Sequence, residues 1–493
     1  MVWALPIDSP KNHCADMTSE RADTKTEAEL PEPEACDALT GLCSRAALHR
    51  VLTAEMHRAR TGDALPALLA LDLDRFQAIN DSTSIATGDG VLSRVARRIQ
   101  GAVPNTATVA RISGDEFAVL LPDGSQASQI AAKLLELIAR PYAVNGHAMT
   151  LSVSIGVAQA SRADQDADSL LQAANIALHR AEADGKNRWC RFEPWMQERA
   201  STRQALEMDL RAALAVNKLE LRKAMAIEQF EVHYQPQVDA QTLQLLGFEA
   251  LARWRHPTRG MVGPDLFIPL AEEIGLIGLL GDWVLRTACR AAASWPVPPT
   301  GKPYQVAVNV SPLQLRERRA LVASIAAALT ETGLAPDRLE IEITESALMG
   351  DALETLQGIK SLGVSLSLDD FGTGYSSLSQ LAHYPFGRLK IDRSFVRELP
   401  IDDEVQLASA KQAVWMLQAI ASLGTGLGMS TVAEGVETKS QAEMVRQAGV
   451  TVVQGFLIAR PTPEAELPGL IKRLELERTT PAMPSDPIQE PRP

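Results

Sequence analysis

The feature that most constrains the fold is a long alternation of apolar strand segments and helical segments between Glu231 and Leu474. Seven candidate strands occur there: LQLLGFEAL, QVAVNV, LEIEIT, VSLSLDD, GRLKID, STVAEG and VTVVQGF. Helical segments such as LRTACRAAASW and SQAEMVRQAG lie between most of these strands. A domain of about 250 residues built from repeated β-then-α units is typical of a TIM-type (β/α) barrel. We therefore predict such a barrel for the second half of the chain.

Polar residues stand at the C-terminal ends of these strands. They are Glu249, Asn309, Glu342, Asp369, Asp370, Lys390, Glu434 and Gln454. In a barrel these strand ends open onto one face, so we expect the residues to surround a single pocket. Carboxylates held so close together repel one another, and hard divalent cations such as Mg²⁺ or Mn²⁺ relieve that repulsion. The adjacent pair Asp369 and Asp370 would then face different ions of a two-metal site, the arrangement that cleaves phosphodiesters.

A simpler interpretation treats these residues as helix caps and surface ion pairs. One acid at one strand end would favour that interpretation. Matching positions on seven successive strands favour the shared pocket instead.

Seven motifs in this region resemble the EAL phosphodiesterases of bacterial cyclic di-GMP signalling: EALARWRHP, NVSPLQL, EITES, DDFGTGYSSL, LKIDRSF, AEGVE and QGF. The resemblance covers about residues 220–475 and implies hydrolysis of cyclic di-GMP to the linear dinucleotide pGpG with two Mg²⁺ or Mn²⁺ ions. It implies that one metal is held by Glu249, Asn309, Glu342 and Asp369. It implies that the other metal is held by Asp369, Asp370 and Glu434.

The same resemblance implies roles for further residues. Lys390 would contact the attacking water, Arg253 would pair with a substrate phosphate, and Gln235 of the YQPQ segment would line the substrate pocket. Gln454 would support the water network of the metal site. Glu345 would anchor the loop DFGTGYSS, which in this family is mobile and links the metals to a homodimer interface.

The first half of the chain predicts a different α/β domain. The segment LPALLALDLD (65–74) is an apolar strand that ends in acids, and ATVARISGDEFAVLLP (107–122) is typical of a hairpin with its turn at Ser113–Gly114. Helices and strands in this order indicate a ferredoxin-like arrangement. If the strands are neighbours, Asp72 and Asp115 could share a Mg²⁺ ion that carries a triphosphate.

Motifs in residues 37–195 resemble GGDEF diguanylate cyclase domains: DALTGLCSR, DLDRFQAIND, GDGVL, RISGDEF and SVSIGV. This family joins two GTP molecules across a dimer. By resemblance, Asp72, the carbonyl of Leu73 and Asp115 match its metal ligands. Asn80 and Asp89 match the residues that recognise guanine, and Phe76 lies in the same motif.

Several residues depart from the cyclase pattern. Gln77 and Glu182 stand where the family has phosphate-binding lysines, Ser113 replaces the first glycine of the signature, and Lys186 replaces an arginine. The product-inhibition motif RxxD would fall at residues 104–107 and is absent. A triphosphate that loses cationic contacts and meets an added carboxylate binds less well. We therefore expect a weak or inactive cyclase that still binds GTP and regulates the neighbouring domain.

These patterns predict five segments. They are a disordered tail at 1–36, a GGDEF domain at 37–195, a helical linker at 196–222, an EAL barrel at 223–475 and a second disordered tail at 476–493.

The charge of the chain disfavours one class of partner, and its cysteines indicate the redox compartment. With 48 basic and 61 acidic residues the net charge is −13, and no basic cluster marks a nucleic-acid contact. The five cysteines lack the spacing of a disulfide framework or zinc site, which favours a reducing cytoplasm. No apolar run is long enough for a transmembrane segment.

Three hypotheses for function remain open from the sequence. The first is a cyclic di-GMP phosphodiesterase with a degenerate cyclase domain. The second is a bifunctional cyclase and phosphodiesterase, which Gln77 and Glu182 disfavour. The third is a non-catalytic cyclic di-GMP receptor, which the complete set of metal-binding positions disfavours.

Overall fold

The computed structural model describes residues 35–61, 64–144, 147–161, 166–214, 229–298, 301–348, 352–372, 381, 383–399 and 407–479. The chain divides into two units between Gln204 and Ala205. The predicted tails lie mostly outside the described residues, as does the part of the predicted linker from 215 to 222.

The first unit is built on a five-stranded sheet. Its strands are β1 (Ala67–Asp74), β2 (Thr108–Ser113), β3 (Glu116–Leu121), β6 (Ser152–Gln159) and β7 (Trp189–Arg191), in the order β2-β3-β1-β6-β7. A separate hairpin is formed by β4 (Tyr142–Val144) and β5 (His147–Met149). Strand β1 pairs antiparallel with both β3 and β6, which is the ferredoxin-like order that the sequence predicted. The predicted hairpin is also present, but its turn is at Gly114–Asp115, one residue later than predicted, because Ser113 pairs with Glu116 as the last residue of β2.

Helices cover both faces of this sheet. They are α1 (Arg45–Thr61), α2 (Phe76–Ser82), α3 (Ile85–Ala102), α4 (Ala127–Ile138) and α5 (Ala167–Ala183). Alternate residues of β1 point to opposite faces, so Leu69 and Leu71 pack with α3 and α4 while Leu68 and Ala70 pack with α1 and α5. The first unit therefore has two apolar layers, one on each side of its sheet.

The second unit is a closed barrel of eight strands. They are β8 (Phe230–Asp239), β9 (Leu245–His256), β11 (Gln305–Val310), β12 (Leu339–Thr344), β13 (Ser365–Phe371), β14 (Arg388–Ile391), β15 (Ser430–Ala433) and β16 (Val452–Gln454). Two short strands, β10 (Gly260–Val262) and β17 (Thr462–Pro463), extend the edges of β9 and β8. The predicted TIM-type fold is confirmed, because β8 pairs with both β9 and β16 and so closes the ring.

One barrel strand was not among the seven predicted from the sequence. Strand β8 carries the segment FEVHYQPQVD and runs antiparallel to both of its neighbours. The repeat of β-then-α units does not reveal it, because a short turn rather than a helix connects it to β9. Its inward face nevertheless brings Gln235 and Gln237 into the barrel beside β9 and β16.

Helices surround the barrel and complete its core. They are α6 (Pro194–Leu214), α7 (Pro264–Glu273), α8 (Ile277–Ser294), α9 (Pro312–Arg316), α10 (Arg318–Thr332), α11 (Leu353–Ser361), α12 (Arg393–Arg397), α13 (Leu407–Gly426), α14 (Lys439–Gln447) and α15 (Leu467–Thr479). Leu206, Leu210 and Leu214 of α6 are buried in the barrel core, so the predicted linker supplies packing to this unit. Helix α15 continues to Thr479, past the boundary predicted at 475. Within the described ranges, no helix is both long and apolar enough to cross a bilayer.

Candidate active site

The predicted acidic residues lie around the C-terminal ends of the barrel strands. In the sheet register Glu249 of β9 lies beside Ala307 of β11, and Asn309 lies beside Glu342 of β12. One strand further on, Thr344 lies beside Asp369 of β13. Parallel strands place these ends at one face of the barrel, so side chains far apart in sequence share one pocket.

Lys390 of β14 is the centre of this group. Its Nζ atom lies 2.6 Å from Glu434 Oε1, 2.7 Å from Glu342 Oε2, 3.2 Å from Asp369 Oδ1 and 3.6 Å from Glu249 Oε2. The lysine and Glu342 are fully buried. One ammonium group therefore neutralises part of the charge of four carboxylates that are largely removed from water.

This arrangement shifts the pKa values of its members in opposite directions. Burial disfavours the charged amine, but the surrounding carboxylates raise the pKa of Lys390 well above its usual value. Burial and the neighbouring acids raise the pKa of Glu342, and they raise the pKa of Glu434 to about 8. Burial opposes ionisation of Glu249 as well, but Lys390 and hydrogen bonds from Gln454 and Asn309 hold its pKa below the usual range.

A bulge in β13 brings Asp369 and Asp370 to the same side of the strand. The register against β14 shifts between Leu368 and Phe371, and Asp370 has a left-handed φ of 53°. Successive side chains of a regular strand point to opposite faces, and an extra residue in a bulge breaks that alternation. One carboxylate oxygen from each of Asp369, Asp370 and Glu434 lies within 4.8 Å of the others. Two adjacent acids can thus line one pocket only because the strand is locally irregular.

The donor set fits divalent cations. Among the residues that the structure describes, no hydrogen-bond donor reaches the buried Oε1 atom of Glu342. A buried carboxylate oxygen without a donor is costly unless a cation contacts it. Oxygen atoms of carboxylates and of an amide are the ligands that Mg²⁺ and Mn²⁺ prefer.

Amide side chains hold Glu249 from both of its oxygens. Asn309 Nδ2 donates to Glu249 Oε1 at 2.6 Å, and Gln454 Nε2 donates to Glu249 Oε2 at 2.6 Å. Gln454 Nε2 also donates to Gln235 Oε1 at 3.1 Å. The three predicted amide residues therefore lie together with the acids.

Two other predicted residues lie further along the chain, one after Glu249 on β9 and one after β12. Arg253 of β9 is half-buried, and its Nη1 atom donates to the carbonyl of Ala252 at 2.9 Å. Glu345 is buried after β12, and its Oε2 atom accepts from the backbone N–H of Gly372 at 3.1 Å. Gly372 is the last described residue of the loop that Glu345 was predicted to anchor, because residues 373–380 lie outside the described ranges.

Sequence reasoning missed a second group of polar residues inside the barrel, formed by Gln237, Glu340 and Arg388. Each lies two positions before or after a predicted residue: Gln237 after Gln235, Glu340 before Glu342 and Arg388 before Lys390. Residues two apart on a strand share a face, so the doubled charges of LEIEI and GRLKI carried the signal.

The predicted residues of the first unit form a smaller acidic group. Asp72 lies on β1 opposite Glu116 of β3, and the backbone N–H of Leu73 donates to the carbonyl of Asp115 at 3.4 Å. Burial, followed by the charges of Asp115 and Glu182, raises the pKa of Asp72 to about 6. The charge of Glu182 therefore contributes to the raised pKa of a predicted metal ligand.

The predicted guanine-reading residues lie near the start of α3. Phe76 is buried, and a Cβ atom on Gly88 would lie 1.9 Å from Asn80 Oδ1 and 3.2 Å from Phe76 Cζ. Among the described residues no donor reaches Asn80 Oδ1. Asp89 follows Gly88 directly and is partly exposed, whereas Gln77 is exposed.

Asp74 has a structural role. It is buried and accepts hydrogen bonds from Ser152 Oγ at 2.6 Å, from Ser154 Oγ at 2.8 Å and from the backbone N–H of Asn187 at 3.0 Å. Its carboxylate is fully engaged in joining β1 to β6 and to the segment after α5.

Comparison with known families gives two matches along this chain. Residues 218–461 match the EAL domain family, and residues 34–188 match the family described as "Diguanylate cyclase, GGDEF domain".

Two curated relatives from Pseudomonas aeruginosa are similar over both domains. "Cyclic di-GMP phosphodiesterase NbdA" is 37% identical over 459 residues, which cover 92% of this chain and 56% of NbdA. "Bifunctional diguanylate cyclase/cyclic di-GMP phosphodiesterase MucR" is 39% identical over 437 residues, which cover 87% of this chain and 61% of MucR. This chain therefore spans little more than half of the length of these relatives.

A solved structure shares the tandem architecture. The S helix-GGDEF-EAL portion of Vibrio cholerae LapD, bound to c-di-GMP, has a TM-score of 0.53 and is 16% identical. The match covers 86% of this chain and 96% of the LapD chain. At this identity the similarity concerns the fold alone.

Proposed function

The chain belongs to the family of proteins that join a GGDEF domain to an EAL domain, and from this premise we propose that it hydrolyses cyclic di-GMP to pGpG. The observation that carries the proposal is the group of four carboxylates around Lys390 at the barrel mouth. The printed functions of NbdA and MucR support the same reaction.

The barrel mouth would hold two Mg²⁺ or Mn²⁺ ions. The first would be bound by Glu249, Asn309, Glu342 and Asp369, and the second by Asp369, Asp370 and Glu434. When bound, the ions supply Lewis-acid activation of a water molecule and neutralise charge on the phosphodiester.

The side chains of this chain have separate tasks in that reaction. Lys390 keeps its positive charge, since its pKa is raised, and it can donate a hydrogen bond to the attacking oxygen. Arg253 provides a half-buried guanidinium group that can pair with a phosphate of the substrate. Gln235 lies beside Gln454 and would line the pocket that receives the substrate.

The segment after β13 would couple this site to a second copy of the chain. Glu345 accepts a hydrogen bond from the backbone N–H of Gly372, two residues after Asp370, and so holds the chain close to the proposed metal ligands. A homodimer formed through the EAL domain would act on the metals through this connection. Analytical ultracentrifugation of the purified protein measures whether this homodimer forms.

A direct assay tests the hydrolase. The protein is incubated with cyclic di-GMP and Mn²⁺, and nucleotides are separated by chromatography; pGpG should accumulate. Glu249→Ala should abolish turnover while far-UV circular dichroism remains unchanged. Binding of cyclic di-GMP without any turnover would support a receptor and refute the proposal.

The first unit would be a degenerate cyclase that binds GTP with Mg²⁺ through Asp72 and Asp115 and regulates the barrel. Support comes from Glu182, whose charge acts on Asp72, and from Gln77, which provides no cation. The printed function of MucR favours a bifunctional alternative. Formation of cyclic di-GMP from GTP at a rate similar to hydrolysis would establish that alternative.

Charge restoration tests the reason for the weak cyclase. The double variant Gln77→Lys/Glu182→Lys should bind GTP at least about tenfold more tightly, because two charge-assisted contacts appear and one repulsion is removed. Glu136→Lys on the exposed face of α4 raises the net charge by +2, against +3 in the double variant, and is a control for added positive charge away from the site. Equal GTP affinity for the wild type and the double variant would contradict this explanation.

A further inference from the structure

A second polar layer lies beneath the carboxylates inside the barrel. Arg388 Nη1 contacts Glu340 Oε1 at 3.1 Å, and their side chains are only 13% and 3% exposed. The same Nη1 atom donates to Gln237 Oε1 at 3.3 Å, and Gln237 is 2% exposed. Branched apolar side chains usually fill the interior of such a barrel. A buried Arg–Glu pair has a large desolvation cost there and stabilises the fold little. Packing alone therefore does not explain why this layer of the barrel is polar.

The layer connects to the candidate metal site through a directional chain of hydrogen bonds. A guanidinium group has only donors, so the side chain of Gln237 must turn its Oε1 atom toward Arg388. That orientation directs Gln237 Nε2 to Gln454 Oε1, at 3.0 Å. Gln454 in turn directs its Nε2 atom to Glu249 Oε2 at 2.6 Å. We name the residues Arg388, Gln237, Gln454 and Glu249 the amide relay.

We propose that Arg388 is a positioning residue: its guanidinium holds Gln237 and, through Gln237, the side chain of Gln454, so that the donor to the carboxylate of Glu249 keeps a fixed position. The inference rests on the proposed function, in which Glu249 binds a metal. It assigns to the buried Arg388–Glu340 pair a role in site geometry that its contribution to folding does not explain.

The amide relay is held at both ends, because the Glu249 carboxylate only accepts hydrogen bonds and the Arg388 guanidinium only donates them. Without the guanidinium, Gln237 Oε1 loses this donor, and the Gln237 side chain can rotate away from Gln454. Gln454 Oε1 then loses the donor that holds its amide group, so Gln454 Nε2 no longer has a fixed position against Glu249 Oε2. Glu249 is then held less firmly in the position that its contact with Asn309 defines. Loss of a partner that orients a ligand typically weakens metal binding by about 10-fold to 100-fold.

The test replaces the ion pair as a unit. The variant Arg388→Met/Glu340→Met removes both charges at similar volume, a change that leaves the stability of many proteins near or above that of the wild type. We expect a melting temperature close to the wild-type value and an Mn²⁺ dissociation constant at least about tenfold higher, measured by isothermal titration calorimetry. In the assay with cyclic di-GMP, kcat should fall while KM changes little, because Arg388, Glu340 and Gln237 are buried beneath the candidate metal site.

Two further variants make the test specific. Gln237→Met breaks the relay at its next link and leaves the Arg388–Glu340 pair in place, so it tests the idea even if the double variant fails to fold. Combining it with Arg388→Met/Glu340→Met should cause no further loss of Mn²⁺ affinity, since all three substitutions act through one chain. Ser430→Ala is the matched control. It removes a contact of Arg388 Nε at 3.2 Å that lies outside the relay, and it should leave Mn²⁺ affinity unchanged.

Wild-type Mn²⁺ affinity in a folded Arg388→Met/Glu340→Met variant or in Gln237→Met would overturn the inference. Additive losses in the combined variant would also overturn it, because they would show two independent effects. A wild-type protein that neither binds Mn²⁺ nor hydrolyses cyclic di-GMP would instead overturn the proposed function, and this inference with it.

Discussion

Burial inside the barrel strongly shifts the pKa values of individual charged side chains. Lys390 is an amine enclosed by acids, and the acids beside it differ in how readily they ionise. Glu249 receives two amide donors and stays ionised, whereas Glu434 lies in the same pocket and retains a proton more readily. The two residues are of one type, so the difference comes from their surroundings: the charge of Lys390 and the amide donors lower the pKa of Glu249, whereas burial and the charges of Asp369 and Glu249 raise that of Glu434.

Replacement of Lys390 tests whether its positive charge offsets the repulsion among the buried carboxylates. Lys390→Met leaves buried carboxylates without their cation, and loss of one partner of a buried ion pair costs about 3–5 kcal/mol of unfolding free energy. Saturating Mn²⁺ should restore much of that loss, because the ions neutralise the same oxygens. Urea unfolding with and without Mn²⁺ measures both effects, with Lys360→Met on the exposed face of α11 as control. An unchanged metal-free stability of Lys390→Met would contradict this view of the pocket.

The raised pKa of Glu434 predicts a pH dependence with a definite sign. Its pKa is about 8 in the folded protein and near 4.5 when unfolded, so the folded state binds more protons between these values. Through this group the metal-free protein should lose stability as the pH rises from about 5 to 8. Mn²⁺ must displace that proton, so its affinity should increase over the same range. Urea unfolding in EDTA and Mn²⁺ titrations at pH 6, 7 and 8 measure the two trends; Mn²⁺ affinity that is independent of pH would refute the prediction.

At the scale of elements, the end of β13 decides where the two aspartates point. The bulge places Asp370 at a left-handed φ, and Gly372 follows with φ of 98° beside the ring of Phe395 on α12. The bulge therefore directs the side chains of Asp369 and Asp370 into the pocket, and the left-handed residues turn the chain immediately after them.

Two glycine substitutions distinguish the effect of this turn on the site from the cost in stability of a left-handed alanine. An alanine Cβ at Gly372 would lie 2.7 Å from Phe395 Cζ, whereas at Gly333, which ends α10 with φ of 68°, no described atom lies within 4 Å. Each replacement should cost about 1–2 kcal/mol through the left-handed φ alone. Gly372→Ala should in addition reduce hydrolysis of cyclic di-GMP by at least about tenfold, because Asp370 shifts with the turn. Equal activity of the two variants would show that the turn does not control the site.

At the scale of the whole molecule, helix α6 shows that the barrel begins earlier in the sequence than its motifs do. Leu206, Leu210 and Leu214 are spaced by four residues, share one face of α6 and are buried in the barrel core. Asp209 of the same helix lies 3.0 Å from His256 Nε2 at the end of β9.

Truncation tests this boundary. A chain that starts at residue 223 lacks the three leucines, and each buried leucine contributes about 2–5 kcal/mol. We expect its melting temperature to lie about 10 °C or more below that of a chain that starts at residue 193. Met208→Ala in the longer chain is the control, because Met208 is exposed on the opposite face of α6. Similar melting temperatures for the two truncated chains would place α6 outside the cooperative unit of the barrel.

The sequence by itself determined the two fold classes and the set of acids at the barrel mouth. Both follow from local patterns: strands and helices alternate along the chain, and polar residues recur at strand ends. Such patterns can be recognised without knowing how the elements pack. It did not determine strand β8, the bulge at Asp370 or the direction of the amide relay. These depend on which strands close the ring and on which donors and acceptors meet across it, and residues such as Gln237, Arg388 and Glu249 become neighbours only in the folded barrel.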